Sequence, residues 1–212
     1  MTKLEVEFIA EVAQGFEGNL QQGMLLLEAA ISSGADSVKF QLIIADEICT
    51  PDYKYYNLFK SLEMPLRHWI KLAKRAESAD VSLIVDIFGQ RSLTFAKKMG
   101  VERVMLHATD LNNTDLLVST SRSNFTEVFL GVGGGSLKEI RNALTILAGK
   151  KIVLMTGFQS YPTPLNQLRL NRIQKLRDVF LSDKSKIRVG YADHSLPDSR
   201  ECVGLCAMAC AL

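Results

Sequence analysis

Asp36-Ser37-Val38-Lys39-Phe40-Gln41-Leu42-Ile43 is the stretch on which the fold turns. This mostly apolar run with one lysine inside it reads as a strand, and it directly follows a helical pattern. Asn19 stands in a capping position, Leu20, Met24, Leu27 and Ala30 or Ile31 recur at helical spacing, and Gly34 stops the run. Upstream, Phe8-Ile9-Ala10 continues into Glu11-Val12-Ala13 as an earlier strand, closed by a turn punctuated by Gly15 and Gly18. Strand, helix and strand in immediate succession make one βαβ unit, which predicts a parallel pair.

The same alternation continues. An aromatic loop at 51–56 and a short helix at 57–63 lead to a helix opened by Pro65 and running to about Ser78, with Leu66, Trp69, Ile70 and Ala73 inward. Strands follow at 81–88, 101–108, 126–132, 152–155 and 186–191. Helices are expected at 90–99, within 113–121, from a Ser136 cap with Glu139 three residues on to 147, at 165–181, and over 199–212. Strict alternation with short connections predicts an α/β fold with a parallel sheet, and so many units favour a TIM-type (β/α) barrel over an open doubly wound sheet. A full eight-unit barrel takes about 250 residues. The 212 residues are therefore read as a single barrel domain, 1–212, lacking its last β/α unit; either the sequence is a fragment, or the edges at its first and seventh strands are covered by a partner or close on each other.

Bulk composition narrows the function. Apolar content of 47% and charged content of 23% are ordinary for a globular chain. A net charge of +2, with basic residues scattered along helices, makes no case for nucleic acid or an anionic membrane. No run approaches the ~18 apolar residues of a membrane span, and the N-terminus lacks a signal-peptide pattern, so a cytoplasmic location is expected. Of four cysteines, Cys202, Cys206 and Cys210 share one helical face in an Ala/Leu/Met-rich run and read as small buried hydrophobes, with Cys49 apart.

In a barrel, chemistry sits at the carboxyl ends of the strands. There stand Glu11, Lys39, Gln41, Asp86, Asp110, Gly133-Gly134-Gly135, Tyr161 and His194. Lys39 lies inside an otherwise apolar strand and needs a charged partner or ligand. Two prolines in Gln159-Ser160-Tyr161-Pro162-Thr163-Pro164 pre-shape the loop after the sixth strand. After the seventh, Gly190-Tyr191-Ala192-Asp193-His194-Ser195 offers a carboxylate and an imidazole, suited to metal ligation or proton transfer.

These segments, in this order, resemble the barrel domain of the N-acetylneuraminate (sialic acid) synthase family. Ile9-Ala10-Glu11 is similar to its first-strand motif, and Gly34-Ala35-Asp36-Ser37-Val38-Lys39-Phe40-Gln41 to its second, the most specific of the set. Gly133 with Ser136-Leu137-Lys138-Glu139-Ile140, Ser160-Tyr161-Pro162-Thr163-Pro164 and Gly190-Tyr191-Ala192-Asp193-His194-Ser195-Leu196 complete it. The resemblance implies condensation of phosphoenolpyruvate with the open-chain aldehyde of an N-acylated amino sugar, usually with manganese or magnesium. It implies Glu11 and Asp110 as catalytic groups engaging the sugar, and Lys39 on the phosphoenolpyruvate anion. Gln41, Tyr161 and Asp193 would be substrate-binding, and His194 a metal ligand.

The chain departs from that pattern in groups that face phosphate and metal. Where the resemblance implies a second metal histidine stands Thr156, and where it implies a second lysine and a serine stand Met105 and Ala108. The third strand ends Asp86-Ile87-Phe88-Gly89, and the small antifreeze-like domain that the resemblance associates with the barrel is not expected within these 212 residues. His107, two residues after Met105, shares its side of the strand and is available as a substitute donor. Three readings therefore stay open: a synthase, with a homo-oligomer allowed; a non-catalytic sugar-binding or regulatory relative; and an aldolase using Lys39 as a Schiff-base amine.

Overall fold

The computed structural model describes residues 6–157, 160–181 and 186–196. Gln159 and the expected terminal helix with Cys202, Cys206 and Cys210 lie outside them. Seven strands, β1 (Ile9–Ala13), β2 (Ser37–Gln41), β3 (Ser82–Ile87), β4 (Arg103–Leu106), β5 (Glu127–Gly131), β6 (Lys151–Thr156) and β7 (Ile187–Tyr191), form one sheet in chain order. Every neighbouring pair is parallel. Between them run α1 (Leu20–Ser32), α2 (Ala45–Ile48), α3 (Tyr56–Ser61), α4 (Leu66–Ser78), α5 (Gln90–Met99), α6 (Thr114–Ser121), α7 (Leu137–Ile146) and α8 (Asn171–Phe180). The result is a curled, partial TIM-type barrel, as the alternating pattern predicts.

Local chemistry explains the element ends. Asn19 Oδ1 accepts from the amides of Gln21 and Gln22 at 2.8 and 3.2 Å, satisfying two donors that the first turn of α1 leaves over. Ser136 and Glu139 form the expected capping box on α7. Gly100, at φ 77°, turns the chain out of α5 where a side chain would be strained. The helix expected over 165–181 is shorter: a 3-10 turn at Leu165–Gln167 comes first, Arg169 sits at φ 48°, and α8 begins only at Asn171. Strands expected at 81–88 and 101–108 shrink to β3 and β4, because their flanking apolar residues sit in loops packed on the core.

Alternation along each strand separates two cores. Val38, Phe40, Leu83, Val85, Val104, Leu106, Val128 and Leu130 face the helices and pack with Phe16, Leu27 and Trp69. Trp69 meets Phe16 edge-on at 5.2 Å between ring centroids and Phe40 at 6.2 Å. Leu72 and Ala76 join Trp69 and Ala73 on the buried face of α4, whereas Leu66 and Ile70 sit at its margin. The opposite face of the sheet carries a small interior cluster of Ile84, Phe129 and Val153, with Ile9, Met105 and Met155 against it.

Below that cluster, at the amino ends of the strands, lies a charged floor. Arg103 donates to Glu7 and Glu127, each at 2.7 Å, and to Ser37 and Ser82 at 2.7 and 3.0 Å, with its guanidinium over the Phe129 ring. Arg188 on β7 reaches Glu127 at 2.8 Å and Glu7, just before β1, at 3.4 Å. No backbone ladder joins β1 to β7 among the described residues, and this ion pair bridges the two edges instead.

Candidate active site

At the carboxyl ends of the strands, the alternation that sends Val38 and Phe40 outward turns Lys39 inward, and it does the same for Asp86 on β3 and His107 after β4. Lys39 Nζ sits 2.8 and 2.9 Å from the two carboxylate oxygens of Asp86 and 2.6 Å from Glu11 Oε2. His107 Nε2 lies 2.8 Å from Asp86 Oδ2, so Glu11, Lys39, Asp86 and His107 form one continuous chain of charge and hydrogen bond. A β-bulge in β1 between Glu11 and Ala13, with Ala13 at φ 49°, aims the Glu11 carboxylate. The Ala13 amide donates to Glu11 Oε1 at 2.9 Å, leaving Oε2 for the lysine.

The members differ in exposure. The Asp86 side chain is 0% exposed and that of Lys39 9%, whereas 47% of Glu11's side chain remains accessible. Burial acts to neutralise both Asp86 and Lys39, and their mutual attraction overcomes it. Asp86 is held below the ordinary carboxylate range by Lys39 and His107, and Lys39 is raised by Asp86 and Glu11. Glu11 goes the other way: lost hydration and the nearby Asp86 raise it against the pull of Lys39. Glu11 is therefore the partner most readily displaced from the lysine.

The remaining expected residues gather around this chain or stand off from it. Gln41, two residues beyond Lys39 on the same face, accepts from Gln14 Nε2 at 2.9 Å. The loop after β6 is tied to the loop after β7 by the Thr163 amide donating to the His194 carbonyl at 2.7 Å. Tyr161 is 77% exposed and meets His194 edge-on at 6.4 Å. His194 Nδ1 approaches the Ala192 carbonyl at 3.0 Å; burial lowers this imidazole, and the charges of Lys39 and His107 add to the effect. Asp193 is exposed and accepts from the Ser195 amide at 2.9 Å, a turn within its own loop. Asp110, in a 3-10 turn after β4, accepts from Asn113 Nδ2 at 3.0 Å and is not part of the lysine chain. Around the glycine loop, the carbonyls of Val132 and Gly135 accept from the Arg172 guanidinium at 2.8 and 2.7 Å.

Asp86 and His107 are thus joined to the site more tightly than the sequence alone indicates. The signal for both was alternation from Ile84 and Met105, whose side chains line the interior. The donor set does not fit a resident divalent metal: among the described residues no three His, Cys, Asp or Glu side chains converge as ligands. Thr156, where a second histidine ligand would stand, is 4% exposed.

The NeuB family profile matches residues 26–211. An uncharacterised protein of Methanocaldococcus jannaschii is 30% identical over 191 residues, 89% of this chain and 55% of the relative. The N,N'-diacetyllegionaminic acid synthase of Campylobacter jejuni is 27% identical over 206 residues, 88% of this chain and 60% of that enzyme. The chain thus spans little more than half the length of these relatives. The crystal structure of an N-acetylneuraminic acid synthetase from Leptospira borgpetersenii, in complex with citrate, superposes with a TM-score of 0.81 at 26% identity, covering 90% of this chain and 66% of that one.

Proposed function

The chain belongs to the NeuB family, and from that premise we propose that it condenses phosphoenolpyruvate with the aldehyde of an N-acylated amino sugar to form a nonulosonic acid. The observation that carries the reading is the buried Lys39 held between Glu11 and Asp86 at the strand ends. An incoming carboxylate or phosphate competes with Glu11, the accessible partner, and leaves Asp86 in place as the fixed counter-charge. Glu11, once displaced, turns to the sugar hydroxyls and takes up protons readily because its pKa is already raised. Gln41 supports the anion from above Lys39, Asp110 and Asp193 contribute acceptors from the rim, and Tyr161 covers the mouth.

The direct test is phosphate release from phosphoenolpyruvate with N-acetylmannosamine, alongside calorimetry with and without manganese. Sugar-dependent phosphate release that disappears in Lys39→Met supports the reading. Absence of release with any N-acyl hexosamine overturns it.

A second reading is favoured by Met105 and Thr156 together with a lysine whose charge is already balanced. Under it the barrel binds an amino sugar without condensing it. It expects sugar binding that needs neither phosphoenolpyruvate nor metal, and a strict requirement for either eliminates it.

A further inference from the structure

We propose that His107 is a catalytic residue of this site, the proton carrier for the acceptor's carbonyl oxygen, with Asp86 as its positioning residue. The inference rests on the condensation reading and extends it to a named proton. The Asp86 carboxylate accepts at 2.8 Å from His107 Nε2, which fixes the tautomer with hydrogen on Nε2. His107 Nδ1 makes no hydrogen bond to any described residue, and 30% of the side chain is accessible. The imidazole and its backbone are braced by their neighbours. The Phe88 ring lies 4.8 Å away between centroids, and Asp86 is itself anchored by Lys39. Behind it, β5 packs so closely that a Cβ on Gly131 would sit 3.0 Å from the His107 carbonyl carbon and 2.6 Å from the Ala108 nitrogen. An oriented imidazole with one nitrogen on a buried carboxylate and the other left for a ligand is the arrangement proton transfer requires. The charged and titratable groups on its side of the sheet are Asp86 from β3, Lys39 from β2, Glu11 from β1 and His194 from beyond β7.

The balance closes. As the enol π electrons form the new carbon–carbon bond to the aldehyde carbon, the carbonyl oxygen takes the Nδ1 proton of imidazolium. Water then adds at the cationic carbon that bears the phosphate ester and gives a proton back to Nδ1. The carbon–oxygen bond to phosphate then breaks, phosphate leaves with the electron pair and takes the remaining hydroxyl proton, and a ketone remains.

The test uses His107→Gln, whose side-chain amide still donates to Asp86 but cannot carry a proton. Phosphate release from phosphoenolpyruvate and N-acetylmannosamine is followed across pH 5–9. A fall in kcat of about 10²–10⁴, little change in KM and loss of one limb of the pH profile are expected. A kcat within about threefold, with the profile intact, overturns the proposal. Asp86 is tested by ¹⁵N imidazole spectra, in which Asp86→Asn moves the His107 proton from Nε2 toward Nδ1; an unchanged tautomer refutes its positioning role. A wild-type chain that releases no phosphate sinks the condensation reading by itself. His107 is then judged on wild-type spectra, where its Nδ1 resonance moves on addition of N-acetylmannosamine. A resonance that stays put overturns the assignment.

Discussion

Replacing Lys39 by Met removes the cation from a wholly buried carboxylate. Asp86 loses contacts at 2.8 and 2.9 Å and keeps only His107 at 2.8 Å, with no exposed surface through which water can compensate. Breaking a buried pair by deleting one partner costs about 3–5 kcal/mol. Glu11 can rehydrate, since 47% of its side chain is accessible, which puts the expected loss at the lower end, about 3 kcal/mol. In a chain of this length that corresponds to a fall in Tm of about 6–12 °C. The pH dependence has a definite sign. In the native protein Asp86 lies below its ordinary value, so its contribution is present above the unfolded pKa and fades as pH falls through the folded one. In Lys39→Met, burial acts on Asp86 with only His107 opposing it, its pKa rises, and folding takes up a proton. Glu11, already raised, shifts further the same way. The variant therefore gains on the native protein as pH is lowered from 8 to 5. Urea unfolding at several pH values measures both effects. A difference below about 1 kcal/mol at pH 7 with unchanged m, or a gap that widens toward pH 5, refutes the reasoning.

Two further outcomes are expected. Arg103→Leu leaves Glu7 and Glu127 with the half-exposed Arg188 as their remaining cation and costs about 2–3 kcal/mol, less than a wholly buried pair because both carboxylates keep that contact and some solvent; urea midpoints check it, and a loss under about 0.5 kcal/mol contradicts it. Gly131→Ala forces a methyl against the Ala108 amide and costs about 1–3 kcal/mol. Thermal melts register that cost, and a displaced His107 resonance confirms that the strain reaches the imidazole.

The fold was legible because its signal is periodic: strand, helix, glycine stop and cap recur along the chain. What escaped had no period to show. Helix α2, Ala45–Ile48, is a single turn with no apolar stripe of its own. The break before α8 depends on Arg169 at φ 48°, a conformation that arginine's identity does not announce. In the site, Lys39 stood out because a lysine in an apolar strand requires a partner, but which partner depends on register. Lys39 pairs across β2 and β3 with Ile84, so the carboxylate that reaches it belongs to Asp86, two residues further on. Glu11 was legible by the same logic, a charge in an otherwise apolar strand; the structure adds that it stands level with Lys39 in the neighbouring strand. Asp110 shows the limit: its place at a strand end was apparent, yet the turn it occupies directs its carboxylate to Asn113.

The order of the strands bears on how the molecule comes to be folded. Each strand hydrogen-bonds only to those before and after it in the chain, so every pairing closes a loop of one β/α unit and folding can advance unit by unit. The Arg188–Glu7 contact spans 181 residues and depends on the whole sheet having curled. It is a latch that can close only last, and the same long span makes it the natural place for the barrel to begin to come apart.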